Sequence, residues 1–351
     1  MEFKHYVGID VSKNTLDFAI LTNVKELPLH IQIANDVKGF KKLTSWLNTI
    51  PNFSFSTTLF CMEHTGLYNN PVLIFLQKLS CTIWVENAVH IKKSMGLQRG
   101  KNDKVDAGRI ALYACKNNAD IKQYQPRRQT VEQLKVLTSL RDQLIGIKKE
   151  LQTRINEYQK FGDKNIATLM LKVTTKSMNA ISKDIVTCEQ KITETINADD
   201  ALKTMYELMT SVVGIGFVTA LQLIVHTNEM KLAANPRSLA CHCGVAPFEN
   251  SSGLFKGRAR VSHMANKRLK TALHMAALSA MKLDKELKLF YERKVAEGKS
   301  KMSVINAIRN KLIHRIFAVI KRATPYQKEY QSVFNIKTLN EKNIENSLLL
   351  S

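Results

Sequence analysis

Between residues 129 and 196 the chain contains no Pro and no Trp, and Gly occurs only at 146 and 162. Across this span Leu134, Leu137, Leu140, Leu144, Ile147, Leu151 and Ile155 recur at the spacing of one helix face, with charges between them. So long a stretch without breakers leaves room for little except two long amphipathic helices. They turn near Gly162 as an antiparallel coiled-coil hairpin. Such a hairpin serves either as a solvated bundle or as a dimerisation arm, and the spacing does not choose between them.

The first quarter of the chain has a different period. His5 to Ile9 opens a strand, Thr15 to Thr22 alternates like its hairpin partner, and Ile31 to Asn35 is a third strand. Gly39 to Thr49 has helical spacing through Phe40, Leu43, Trp46 and Leu47. Thr57 to Met62 reads as a buried strand, followed by the turn-forming His64-Thr65-Gly66. Pro71 to Leu79 is a helix, Cys81 to Val85 a strand, and a last helix runs from Asp103 to Ala114. This is the order of a mixed-sheet α/β domain. From Leu202 to Ala323 the chain is helical, interrupted by one Gly-rich basic stretch. Beyond Pro325 it is a polar, Asn-rich, loosely held tail.

The charge narrows the partner. Fifty-two Lys and Arg stand against thirty Asp and Glu, leaving +22 on 351 residues. A surplus of this size points to a polyanion, since each neutralised phosphate releases condensed counterions. Nucleic acid is the expected partner and an acidic membrane surface the alternative. No apolar run reaches about 18 residues, so no membrane-spanning helix is expected. The opening MEFKHYVGIDVSK lacks the layout of a signal peptide, which gives a cytoplasmic, nucleoid-associated expectation. The six Cys are scattered and read as reduced and mostly buried. Cys241-His242-Cys243 invites a metal reading, but a C-x-C pair with no second Cys/His pair nearby fits core packing better.

Four acids stand in suggestive places. Asp10 ends the first strand, Glu63 follows directly on the TTLFCM strand, and Asp103 and Asp106 lie three apart on one helix face. Taken singly, each is as well explained as a turn, a cap or a solvated face. Gathered at one sheet edge, they would repel one another unless cations neutralised them. Hard divalent ions with oxygen ligands do that, and a Mg²⁺ pair can clamp both oxygens of a phosphoryl transfer.

The basic stretch carries a different chemistry. Residues 244 to 253, GVAPFENSSG, hold turn formers around Ser251 and Ser252. Lys256, Arg258, Arg260, Lys267, Arg268 and Lys270 follow, with no acid between Ser252 and Lys270. A serine on an adaptable loop among phosphate-binding cations suits nucleophilic attack on DNA, although its hydroxyl needs activation. An ordinary Ser-Gly turn beside a DNA-gripping strip is the competing reading. Upstream, Ser211 to Ala220 (SVVGIGFVTA) reads as a helix-hairpin-helix turn able to hold a phosphate, or as a plain helix-helix turn.

In order, GIDVSK, MEHTGLY, KNDKVDA, SVVGIG, LACHCGVAPFENSSG, HMANKRLKTALHMAAL and EGKSKMSVINAIRNKLIHRIFAVIK resemble the transposases of insertion-sequence family one-ten. These are DEDD-type recombinases related to the Piv DNA invertases. The resemblance runs from about residue 5 to 326. It implies an α/β plus α fold: a RuvC-like (RNase H-like) domain over 1–125, a coiled-coil segment over 126–200, a mostly helical transposase domain over 201–326, and a tail over 327–351. Asp10, Glu63, Asp103 and Asp106 fall on the family's metal-binding acids. Ser252, immediately before Gly253, falls on its nucleophile, with Ser251 one register away. Lys13, Lys101, Lys256, Arg258, Arg260, Lys267, Arg268 and Lys270 are the expected nucleic-acid contacts.

The resemblance also implies Mg²⁺, donor and target double-stranded DNA, and a structured guide RNA encoded by the element. It implies a homodimer assembling to a tetramer, in which the acids of one protomer meet the serine of another. Two departures stand out. Cys241-His242-Cys243 replaces small and aromatic residues, and Ala265-Asn266 stands where Gly-Asn is common. The expected activity is a site-specific recombination that moves an insertion sequence through a phosphoserine intermediate. The rivals are a Piv-like invertase, a RuvC-like junction nuclease using only the acids, and a nucleic-acid-binding scaffold without catalysis.

Overall fold

A computed structural model of the chain describes residues 3–96, 102–252, 255–262 and 264–328. Lys101 and the tail from 329 lie outside the described residues, as do the side chains of residues 255, 256, 258 and 259. The chain separates into two compact units, Met1–Pro126 and Arg127–Ser351.

The first unit contains strands β1 (His5–Val11), β2 (Thr15–Leu21) and β3 (Leu29–Ala34), then helix α1 (Val37–Leu47) and strand β4 (Thr58–Glu63). Helix α2 (Asn70–Lys78), strand β5 (Thr82–Glu86) and helices α3 (Ala88–Ser94) and α4 (Asp103–Lys116) complete it. The sheet order is β3-β2-β1-β4-β5. β1 pairs antiparallel with β2 and parallel with β4, β2 is antiparallel to β3, and β4 is parallel to β5. This mixed α/β sheet matches the expectation, with element ends moved by a residue or two. Helix α3 was not anticipated; it is a short helix of about two turns capped by Asn87, whose side chain accepts from Val89 N.

Both faces of β1 are covered, which is why its apolar run is almost continuous. On one face Val7, Ile9, Leu16, Phe18, Phe60 and Met62 pack with Leu43 and Leu47 of α1 and Val72 and Leu76 of α2. On the other, Tyr6, Leu59, Cys61 and Trp84 meet Ile110, Tyr113 and Ala114 of α4, while Ala19 and Leu21 meet Ala107 and Ala111. Gly8 permits this second contact. A Cβ there would lie 2.2 Å from both Ala107 O and Ala111 N.

The second unit begins with α5 (Gln129–Phe161) and α6 (Lys164–Asn197), which pack along each other, tied by Arg141 Nη2 to Glu189 Oε1 at 2.7 Å. Their two-residue connection contains Gly162, as expected. Of the anticipated stripe, Leu134 and Ile155 are buried, but Leu140 and Ile147 are exposed. A two-helix pair closes only a narrow seam, and this stripe is wider than the seam. Helices α7 (Asp200–Thr210), α8 (Phe217–Thr227) and α9 (Pro236–His242) follow. Then come a two-stranded ribbon, β6 (Pro247–Ser252) and β7 (Phe255–Val261), and helices α10 (Lys267–Leu283), α11 (Lys285–Ala296) and α12 (Lys301–Arg322).

One core spans this unit, with Leu134, Ile192, Met209, Leu221, Leu273 and Leu312 among its buried members. Arg128, just before α5, donates to Asp199 Oδ2 at 2.6 Å and through Nε to both Glu229 oxygens at 3.1 Å. It thereby joins the start of α5 to the start of α7 and the end of α8. Asn228, Glu229 and Met230 all have positive φ, and Arg128 bonds to the middle one, Glu229.

One local reading changes and two are narrowed. The Ser-Gly stretch is not a loop up to the serine, because Pro247–Ser252 is a strand hydrogen-bonded to β7. The Ser211–Gly216 turn does join two helices, but Gly214 (φ +92°) packs on α10; a Cβ there would sit 2.6 Å from Ala280 Cβ. Close packing accounts for that glycine. Cys243 is fully buried in the core, in keeping with packing, while Cys241 is half-buried and His242 exposed.

Replacing Gly8 with Ala should lower the thermal stability of the full chain by about 3 kcal/mol, since the new methyl overlaps backbone that cannot yield. Gly108→Ala is the control, for its Cβ would meet only Pro28 Cγ at 3.3 Å. Equal melting curves for the two variants would contradict the packing argument.

Candidate active site

Strand pairing lines up acids across the sheet. Asp10 stands opposite Asp17, and Asp17 opposite Gln32. Ile9 stands beside Met62, so the next step along both parallel strands brings Asp10 beside Glu63, and Glu63 pairs with Glu86. Cross-strand neighbours share a face and alternate residues do too. Asp10, two residues beyond Gly8, is therefore on the α4 side, and Gln32, Asp17, Glu63 and Glu86 share that side with it.

Helix α4 supplies the other two acids. Asn102 caps it, its side chain accepting from Val105 N at 2.8 Å, and Asp103 and Asp106 lie in the first turn, where the helix dipole favours negative charge. Ala107 and Ala111 lie over Gly8, so the preceding turn reaches toward Asp10. Asp106 accepts from Arg109 Nη1 at 2.7 Å. Asp10 registers the crowding: burial first, then repulsion from Asp103, Asp106, Glu63 and Asp17, raise its pKa to about 6. The four acids singled out by sequence thus face one another electrostatically. Among the described residues, no three His, Cys, Asp or Glu side chains stand close enough to hold a metal ion. The donor set nevertheless suits a hard divalent cation: it is all carboxylate oxygen, and the uncompensated repulsion on Asp10 is what such an ion relieves.

The row has two further acids that sequence reasoning missed. Asp17 is buried and paired with His30 Nε2 at 2.7 Å and Gln32 Nε2 at 3.0 Å. Glu86 is buried too. It accepts from Asn87 N at 2.7 Å and Trp84 Nε1 at 3.2 Å, and pairs with His90 Nδ1 at 2.9 Å. Glu86 and burial together push Tyr113 up to about 12, burial being the larger effect. The only signal for Asp17 in the sequence is a charge inside the apolar alternation TLDFAIL. Nothing local marks Glu86, whose partners converge from β5, α3 and α4.

Ser252 ends β6 in the second unit. It is exposed, and its hydroxyl makes no hydrogen bond among the described residues. Ser251 differs, since its Oγ donates to Glu249 Oε1 at 3.1 Å. Glu249 occupies the irregularity between the Phe248 and Asn250 pairs. Arg260 is exposed on β7, and Lys267, Arg268 and the half-buried Lys270 open α10. Lys13 is exposed in the β1–β2 turn. No helix among the described residues is long and apolar enough to cross a membrane.

The chain is similar to known proteins over most of its length. A family model described as "Transposase" matches residues 7–160, and one described as "Transposase IS116/IS110/IS902 family" matches 206–292. The chain is 28% identical over 335 residues to the "Pilin gene-inverting protein" of Moraxella lacunata, covering 93% of this chain and 98% of that one. The protein of the same name from Moraxella bovis is 27% identical with the same coverage. An "Insertion element IS110 uncharacterized 43.6 kDa protein" of Streptomyces coelicolor is 27% identical over 132 residues, 38% of this chain and 33% of that one.

The electrostatics predict how the acids respond to metal and pH. A carboxyl raised above its unfolded value stabilises the fold in acid, and that contribution is lost as pH rises from about 4 to about 6. In metal-free protein, Asp103→Asn should lower the Asp10 titration seen by carbon-detected NMR and raise the melting temperature above pH 6. At about one hundred times its Kd, Mg²⁺ should stabilise the wild-type chain by about 2.7 kcal/mol at pH 7.5, and much less in Asp10→Asn. An Asp10 titration indifferent to Asp103→Asn would refute the cluster.

Proposed function

We propose, for a chain that belongs to the IS116/IS110/IS902 transposase family, that it cleaves and rejoins DNA through a covalent phosphoserine, using its acid row and Ser252 together. The observation that most supports this reading is the meeting of Asp10 and Glu63, on adjacent parallel strands, with Asp103 and Asp106 in the first turn of α4. The strand order and this edge support a RuvC-like assignment for the first unit.

Asp10, Glu63, Asp103 and Asp106 would hold Mg²⁺, which when bound supplies Lewis-acid stabilisation of phosphate oxygens. The chain's own residues do the rest. Ser252, exposed and not engaged by the described residues, attacks phosphorus; a P–Oγ bond forms and the P–O bond to the departing strand breaks. The serine gives up a proton and the departing oxygen gains one. A hydroxyl of the partner strand then displaces the serine, so one phosphodiester has been exchanged for another. Lys256, Arg258, Arg260, Lys267, Arg268 and Lys270 follow the serine as a cationic strip that grips backbones. Lys13, exposed in the β1–β2 turn, and Lys101, two residues before Asp103 in the sequence, are assigned the same role.

Sequence readout falls to a structured guide RNA pairing with donor and target, which suits a basic chain with only 7% aromatic residues. The α5–α6 hairpin is read as a coiled-coil arm. Its exposed Leu140, Ile147 and Val173 support association of copies into a dimer and then a tetramer, so that one protomer's acids serve another's serine. One observation favours a second reading, inversion of a segment between inverted sites: the pilin gene-inverting proteins align over 98% of their length, the insertion-element protein over a third.

The test combines the full chain with its flanking element DNA, the co-encoded RNA and Mg²⁺, read on a denaturing gel. A protein–DNA adduct is expected, reduced at least about a thousandfold by Ser252→Ala and by Asp10→Ala. Adduct surviving in Ser252→Ala but lost in Ser251→Ala moves the nucleophile by one residue. Cleavage without adduct in Ser252→Ala means a nuclease acting through the acids alone. The flanking DNA separates the remaining pair, showing either element ends or an invertible segment.

A further inference from the structure

The second unit holds a cavity of about 540 Å³ between α5, α8 and the first turns of α10, a size typical of small-ligand sites. Its three kinds of wall are sorted by chemistry. Asp142 of α5 and Gln222 of α8 form an acceptor wall. Gln222 is only 4% exposed; its Nε2 donates to Asp142 Oδ2 at 3.1 Å, and its Oε1 has no donor among the described residues. Val218 and Met275, 39% and 59% exposed, supply flat apolar surface. Lys267 and Arg268 supply positive charge where α10 begins.

A ligand matching these walls has a planar apolar face, adjacent N–H donors on one edge and an anionic tail. Guanine alone among the nucleic-acid bases offers two neighbouring donors, N1–H and N2–H, to a carboxylate. Its phosphate suits Lys267 and Arg268. We infer that this cavity binds one unpaired guanine nucleotide, its edge read by Asp142 and Gln222 and its phosphate held by Lys267 and Arg268. Arg268 lies 3.7 Å from Asp142 on a side chain 53% exposed, a weak contact that a phosphate can take over. Its departure opens the Asp142–Gln222 wall to the base, and the buried Gln222 carbonyl then gains the donor it lacks. The inference rests on the reading that this basic face holds nucleic acid, and it makes the face selective for a base as well as for a backbone.

The experiment titrates the full chain by isothermal calorimetry with GMP, dGMP, IMP, AMP and inorganic phosphate, and by fluorescence anisotropy with single-stranded (dT)₂₀ and with the same strand carrying one central dG. GMP or dGMP should bind at least tenfold tighter than AMP, with IMP, which lacks the N2 amine, between them. The single dG should tighten the oligonucleotide to a similar degree. Asp142→Asn should abolish the preference for guanine while leaving (dT)₂₀ binding in place. Lys267→Gln, a surface change that spares the fold, should weaken all nucleotides alike. Comparing GMP with dGMP tells whether RNA or DNA is the better source. Tight (dT)₂₀ binding with no guanine preference overturns the cavity assignment and leaves the nucleic-acid face standing; no binding of any strand overturns both.

Discussion

The contact between α4 and β1 at Gly8 is the one on which the first unit depends. Side chains normally fill the gap between an α-helix and the sheet it covers. Here a glycine faces Ala107 and Ala111, so helix backbone comes down onto strand backbone. Ala19 of β2 continues the same small-residue bed. Lowering α4 in this way brings Asp103 and Asp106 to the level of Asp10, two residues past Gly8 on the same face. A larger residue at position 8 would lift the helix and separate the acids before it touched any of them.

That packing also accounts for the electrostatics. Carboxylates are gathered where the sheet edge and the helix limit solvent, and Asp10 carries the consequence as a raised pKa. The outer members of the row are treated differently. Asp17 and Glu86 are each surrounded by donors, His30 and Gln32 for one, Trp84, His90 and Asn87 for the other. Carboxylates with several donors therefore flank Asp10, whose raised pKa records the repulsion of its neighbours. The outer pair reads as scaffold, holding β2, β3, β5 and α3 around the inner four.

The second unit solves another problem, that of presenting a basic surface on a rigid base. Arg128 ties three helix ends through Asp199 and Glu229, and Asp284, which caps α11, accepts from Arg315 of α12 at 2.7 Å. With the ends fixed, Arg260 on the β6–β7 ribbon and Lys267 and Arg268 at the start of α10 are held as exposed cations. A serine at the end of such a ribbon is accessible without being part of any network among the described residues. The family to which the chain belongs is one of transposases, which implies a DNA substrate.

By itself, the sequence determined the periods. It located nearly every strand and helix of the first unit, the two long helices with their turn at Gly162, and the strand-end placement of Asp10 and Glu63. These are local properties: alternation, 3.6-residue spacing, caps and breakers act within a few residues. Tertiary structure alone decided what lies across from what. Glu63 came to stand beside Glu86, and β4 beside β1, through register between strands distant in sequence. Gly214 became a packing residue because α10 returns against it, and the stretch before Ser252 became a strand because β7 pairs with it. Leu140 and Ile147 were left exposed because a two-helix seam is narrower than the stripe the sequence carries. Composition and spacing record what each residue can do, but long-range packing chooses its partner, and the partner decides whether a carboxylate is a scaffold or a site.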